Sequence, residues 1–152
     1  MNSPPGIALL DWSHAKALAQ PVRKAVFVVE QGVPVELEWD EWDERSLHAI
    51  ATLDDKVVGT GRLIPVDDGG TIRIGRMAVL ADFRGRGIGA AILAALLVRA
   101  REQGVREAVL HAQTYVAAFY RGFGFVERGD EFFEAGIVHV EMALAMGSPP
   151  TA

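Results

Sequence analysis

Arg84-Gly85-Arg86-Gly87-Ile88-Gly89 is the stretch on which the reading of this chain turns. It follows a strand-like run and opens a helix-like one. Glycines without a Cβ let main-chain N–H groups come close to an oxyanion. The first turn of a helix leaves its N–H groups unpaired and carries partial positive charge. Together these make an anion site, and two arginines add forked donors. A nucleoside-triphosphate loop would need Gly-Lys-Ser/Thr after its spacer, and none follows. A dinucleotide loop needs Gly-x-Gly-x-x-Gly/Ala, which Gly85, Gly87 and Ala90 satisfy. That fold also expects an acid near the end of the next strand. The corresponding residues are His111-Ala112-Gln113-Thr114. The chain is also short for two mononucleotide halves.

Working upstream, Thr71 to Leu80 reads as a strand whose apolar phase slips near Gly75, so a bulge is expected there. Before it, Leu47 to Leu53 and Lys56 to Ile64 form a hairpin across Asp54-Asp55. Asp67-Asp68-Gly69-Gly70 reads as another turn. Ile7 to Trp12 reads as the first strand. Ser13 is placed to cap a helix over His14 to Gln20, and Pro21 to start a second helix that ends near Gly32. Glu36 to Glu44 reads as a loop. Downstream, Gly87 to Gln103 is a long helix with Ile88, Ile92, Leu96 and Ala100 on one stripe, stopped by Gly104. Arg106 to Ala112 is a strand. Thr114 is placed to cap a helix over Tyr115 to Arg121. Phe125 to Phe133 and Ile137 to Leu144 close as a hairpin across Ala135-Gly136. The expectation is an α/β (α+β) fold: about seven strands, mostly antiparallel, about four helices, and one central β-α-β crossover. With 152 residues, one domain is expected, with a core at about 7–145 and loose tails at 1–6 and 146–152.

Half of the residues are hydrophobic and 23% are charged, which suits a globular core. Cysteine is absent, so neither a disulfide frame nor a thiolate metal site is expected. No metal is expected at all. The longest apolar stretch, Ile88 to Val98, is shorter than the ~20 residues of a membrane span. No secretory signal is visible, and a cytoplasmic location is expected. The net charge of -5 argues against a nucleic-acid partner. Acids crowd into Glu36 to Glu44, whereas Arg73, Arg76, Arg84, Arg86 and Arg99 share the stretch 69–100 with Asp82 as its lone acid. An acidic chain that keeps one basic stretch suits a small anion there.

Several segments in order resemble one family. Arg84-x-x-Gly87-x-Gly89 matches the Arg/Gln-x-x-Gly-x-Gly/Ala signature of the GNAT superfamily of N-acetyltransferases. Met77-Ala78-Val79 precedes it as a strand does there, and Tyr120-Arg121-Gly122-Phe123-Gly124-Phe125 resembles the later Tyr-x-x-x-Gly-Phe segment. Val26 to Gln31, Leu110 to Gln113 and Gly136 to His139 are similar to the ElaA-like branch. The match spans roughly residues 7–144.

The resemblance implies acetyl-CoA as co-substrate and a primary amine as acceptor. Pantetheine would lie along Met77, Ala78 and Val79. Diphosphate would rest on the amides of Arg84, Gly85, Arg86, Gly87, Ile88, Gly89 and Ala90. Gln113 stands where relatives often carry a cofactor-touching asparagine. Tyr120 aligns with the tyrosine that reaches the sulfur, and a phenol suits protonation of a leaving thiolate. The oxyanion donor is the N–H of Met77 or Val79. The strand before the loop lacks the glutamate that many relatives use as a base. His111 and Glu30 are the leading candidates, since histidine ordinarily titrates near neutrality; His139, Glu141 and a water chain stay open. Trp39 and Trp42 read first as aromatic seals on a solvated acidic loop, second as a receiver for a cationic amine. Arg73 and Arg76 read as solvated strand residues or cofactor contacts. A small-molecule amine is expected ahead of a protein lysine, and a homodimer is compatible. A CoA-binding sensor without turnover is the rival from another class.

Overall fold

The hairpin signals and the long apolar helix stripe fix where the chain folds back on itself. The structure, a computed structural model, describes residues 4–65 and 70–147. Most of the turn expected at Asp67 to Gly70, and much of both tails, fall outside the described residues. Seven strands form one sheet in the order β1-β2-β3-β4-β5-β7-β6. They are β1 (Gly6–Leu10), β2 (Leu47–Leu53), β3 (Lys56–Pro65), β4 (Thr71–Val79), β5 (Glu107–Gln113), β6 (Val126–Glu134) and β7 (Ile137–Ala145). Every pairing is antiparallel except β4 with β5. The helix α3 (Ile88–Glu102) makes the crossover between those two parallel strands.

Alternation along the strands decides the two faces of the sheet. Ile72, Ile74, Leu110, Val140 and Met142 pack with Ile88, Ile92, Leu93, Leu96 and Leu97 of α3. The expected stripe is fully buried. Gly104 stops α3 in the left-handed conformation, at φ +74°. The N–H of Val105 reaches back to the Ala100 carbonyl (3.2 Å) and that of Gly104 to Arg101 (3.0 Å). These two bonds satisfy carbonyls that the helix end would otherwise leave open.

Local expectations were corrected at several points. Asp11, not Ser13, caps the first helix: its carboxylate accepts from the His14 N–H at 3.1 Å, and the Ser13 hydroxyl donates to the same oxygen. The two helices expected on either side of Pro21 are one run. Helix α1 (Trp12–Arg23) carries Pro21 inside it and continues as a π-helical segment, Lys24–Glu30. Wider turns relieve the missing N–H and the ring clash of a proline. Thr114 makes no capping bond; a 3-10 turn (Thr114–Val116) leads into a shorter α4 (Ala117–Arg121). At the ends, β1 already includes Gly6, and the Met146 N–H donates to the Arg106 carbonyl.

The acidic stretch is not a solvated loop. It holds a helical turn, α2 (Val35–Glu38), and a 3-10 turn (Glu41–Arg45). Glu38 and Asp43 are buried there. Arg23, 1% exposed, donates to Glu38 at 2.7 Å and to Asp43 at 2.7 and 3.2 Å. Its guanidinium lies between the rings of Trp12 (5.5 Å) and Trp39 (5.1 Å). Arg62 of β3 donates to Asp40 and Asp43. Buried charges need this pairing, because an unpaired one costs several kcal/mol (about 3–5). No helix among the described residues is long and apolar enough to cross a membrane.

Candidate active site

The strand pairings open the site. Thr60 pairs with Ala78 and Arg62 with Gly75, so Arg76 and Met77 together face the single Gly61. The bulge is therefore one residue beyond the expected Gly75. Arg76 adopts φ +49°, a left-handed turn that costs a non-glycine residue roughly 1–2 kcal/mol. Its guanidinium offsets this by donating to the carbonyls of Leu37 and Glu38 and to Asp40. So Arg76 is not a solvated strand residue. Beyond the bulge β4 leaves β5: their parallel pairing covers only Thr71–Ile74 against Glu107–Leu110. Val79 and Gln113 lie on opposite sides of the resulting split.

A cavity of about 1380 Å³ occupies that split. It brings together Met77, Ala78, Val79, Arg84, Gly85, Gly87, Ile88, Gly89, Ala90, His111, Gln113, Tyr120 and Glu30. Arg86 does not line it; its guanidinium stacks on Phe83 at 5.3 Å. Gly85 and Gly87 both take φ +78°, which turns the chain tightly into α3 without a Cβ penalty. Among the described residues, no carbonyl outside a helix or strand accepts from the N–H groups of residues 85–87. Those of Ile88, Gly89 and Ala90 belong to the first turn of α3, where the helix supplies no acceptor. An oxyanion acceptor fits this loop.

Tyr120 is 8% exposed, against Phe119 (5.0 Å) and Phe125 (6.0 Å). Among the described residues its hydroxyl has no hydrogen-bond partner. Burial pushes its pKa up to about 12. The phenol therefore stays protonated at neutral pH and has a proton to give.

Glu30 is not free. Arg84 donates to both of its oxygens at 2.6 Å, and to the Val79 carbonyl at 2.9 Å. The Arg84 hydrogen bond holds the Glu30 carboxyl below its usual range. Beside it, Gln113 donates to Gln31 at 2.8 Å. The end of the π-helical segment is thus tied to both walls of the split.

His111 sits one residue past the last β4–β5 pair. Its Nδ1 lies 3.1 Å from Glu134, and its Nε2 is 3.7 Å from Glu141. The His111 hydrogen bond, more than any other contact, holds Glu134 below the ordinary carboxylate range. Glu141 is also lowered, chiefly by Arg128, which donates at 2.8 Å. His139 is buried and bonded through Nδ1 to the Ile137 carbonyl (2.7 Å). Phe132 stands between the two histidines, edge-on to His111 and stacked on His139.

Of the tryptophans, Trp42 lines the cavity and Trp39 does not. The carboxylates of Glu38, Asp40 and Asp43 are occupied by Arg23, Arg62 and Arg76. That leaves little charge for a cationic amine. Sequence reasoning missed Arg62 and Glu134 as cavity residues. A lone charge in the otherwise uncharged run 57–64 was a signal for Arg62. Glu134 had none, because only the β6–β7 register brings it to His111.

The comparisons agree with this geometry. A family model for the acetyltransferase (GNAT) domain matches residues 14–146. The chain belongs to the GNAT family of N-acetyltransferases. An uncharacterised N-acetyltransferase of Bacillus subtilis, YjcF, is 39% identical over 122 residues, covering 80% of this chain and 86% of that protein. Escherichia coli ElaA has the same fold, with a TM-score of 0.82 and 27% identity over 92% of this chain and 99% of its own. An acyl-CoA N-acyltransferase from Pseudomonas aeruginosa gives 0.82 and 29%, over 93% of this chain and 100% of its own.

Proposed function

We propose that the chain moves an acetyl group from acetyl-CoA to a primary amine of a small molecule, by direct attack within a ternary complex. One observation carries the reading. Gly85 and Gly87 to Ala90, whose amides have no main-chain acceptor among the described residues, the β4–β5 split, the Tyr120 phenol and the His111 imidazole all line one continuous cavity.

The diphosphate of the co-substrate would take the amides of the loop, where the helix dipole favours anions. Its pantetheine arm would follow the edge of β4 from Met77 to Val79. Acetyl-CoA supplies an activated thioester; the chain supplies the proton transfers. The amine nitrogen bonds to the carbonyl carbon and the carbon–sulfur bond breaks. His111 takes the proton that the amine loses, through Nε2. Glu134 at Nδ1 orients the ring and stabilises its positive charge. Tyr120 returns a proton to the departing sulfur. A β4 amide, Met77 or Val79, opposes the charge that develops on the carbonyl oxygen. Glu30 is the weaker candidate for base, because a carboxylate held down by Arg84 has little affinity for a proton. The arrangement needs no metal, and the cavity is wide enough for a small acceptor beside the pantetheine.

Thiol release from acetyl-CoA in the presence of an amine library, with mass detection of the acetylated product, tests the reading. The expected result is amine-dependent thiol release that falls about 100-fold or more in His111→Ala, the size of a lost general base. Tight CoA binding with no product from any amine would leave a binding module instead.

A further inference from the structure

Four arginines line the cavity: Arg62, Arg73, Arg76 and Arg84. Three are bonded to carboxylates: Arg62 to Asp40 and Asp43, Arg76 to Glu38 and Asp40, Arg84 to Glu30. Arg73 makes no hydrogen bond or ion pair among the described residues. Its Nε is fully buried and without an acceptor, and so is the Nε of the neighbouring Arg62. Glu141 feels the charge of Arg73 only weakly, and that carboxylate is bonded to Arg128. A buried donor without an acceptor costs about 1–3 kcal/mol, so such a group calls for an explanation.

Position supplies one. Arg73 pairs with Val109. His111 lies two residues further along β5, on the same face, so about 7 Å separates the two levels. Glu141 is paired with His111, and Glu134 is hydrogen-bonded to it. The acceptor end of the cavity thus has an unengaged guanidinium on one side of the split. On the other, Glu134 lines the cavity beside the base, with Glu141 behind it and bonded to Arg128.

We propose that the acceptor is zwitterionic, a small molecule in which the reacting amine and an oxyanion group, a carboxylate or phosphonate-type group, lie a few bonds apart. Arg73 takes the oxyanion through the terminal amino groups of its guanidinium, which make no bond among the described residues. Glu134, which lines the cavity beside His111, draws the ammonium towards it. This rests on the transfer reading above, and it narrows the acceptor from any amine to one with an attached anion.

The test compares kcat/KM for matched acceptors: 3-aminopropanoate against propylamine, 5-aminopentanoate against pentylamine, and 2-aminoethylphosphonate as the phosphonate arm. The anion-bearing member of a pair is expected to lead by about 10- to 100-fold, the size of a charge-assisted hydrogen bond. In Arg73→Gln the ratio should fall towards one. Arg73→Lys should restore part of it, because the charge returns without the fork. A merely structural role would lower both members together and leave the ratio. A ratio near one in the wild type, or one that survives Arg73→Gln, overturns the proposal. Calorimetric binding of 3-aminopropanoate and propylamine to the CoA-loaded protein keeps the two readings apart. Tighter binding of the anion that depends on Arg73, without any turnover, would defeat the transfer reading alone. No binding difference would defeat this one.

Discussion

Tyr120 and Glu30 both stand in the cavity, and burial separates their roles. A phenol lifted to about 12 by burial is a proton donor at every working pH. Tyr120→Phe should lower kcat about 100-fold with little change in Kd for CoA, as read by steady-state thiol release and calorimetry. The same shift has a stability consequence. The folded pKa lies above the ordinary value of 10.0, so folding favours the neutral form. That contribution is intact below pH 10 and is lost as pH rises through about 12. Alkaline melting curves should show wild type losing more stability over this window than Tyr120→Phe. Glu30 runs the other way. Its folded pKa lies below the ordinary 4.5, so its contribution is present above that value and fades as pH falls through the lowered one. Half-exposed as the pair is, that contribution is small. Glu30→Gln should leave kcat within about threefold and lower KM for acetyl-CoA, since one negative charge beside the anion loop disappears. A kcat loss as large as that of His111→Ala would make Glu30 the base instead.

At the scale of elements, the loop and the first turn of α3 act as one unit. Gly87 is the N-cap of α3 at φ +78°, with open space around it. A Cβ meets no atom there, so the cost of Gly87→Ala is backbone strain alone, roughly 1–2 kcal/mol. Relief of that strain would rotate the amides that follow. The expected result is a fall in Tm of a few degrees and about a tenfold loss of CoA affinity by calorimetry. Much at this scale was legible in the sequence. The periodicity of Ile88 to Ala100, the glycines at 85, 87 and 104 and the strand and hairpin signals placed the crossover helix and, to within one residue at each end, the six strands β2 to β7. Two features were not. Pro21 looked like a helix start because a proline inside a helix is ordinarily excluded, and only the wider π turns that follow accommodate it. The bulge was placed at Gly75 because glycine favours such sites, whereas Arg76 takes the strained position and recovers the cost through bonds to residues 37–40. Those partners lie far away along the chain, beyond any local pattern.

Across the whole molecule, Glu38, Asp40 and Asp43 of the acidic run and the arginines at 23, 62 and 76 form one largely buried network that ties α1 and α2 to β3 and β4. In sequence the run looked like solvated surface, because its partners are dispersed over more than 50 positions (23 to 76). The network fixes the wall of the cavity opposite the anion loop. Arg23→Met leaves Glu38 and Asp43 buried with one fewer counter-charge, so chemical denaturation should show a loss of about 3–5 kcal/mol. Anion loop, split and acceptor wall depend on one another, and the account rests on the first of them. A crystal structure of the protein with bound CoA is the most direct measurement. The account predicts diphosphate oxygens within hydrogen-bonding distance of the main-chain amides between residues 84 and 90, with the thiol directed into the split near Tyr120. A diphosphate seated elsewhere, with those amides bonded to protein, would contradict it.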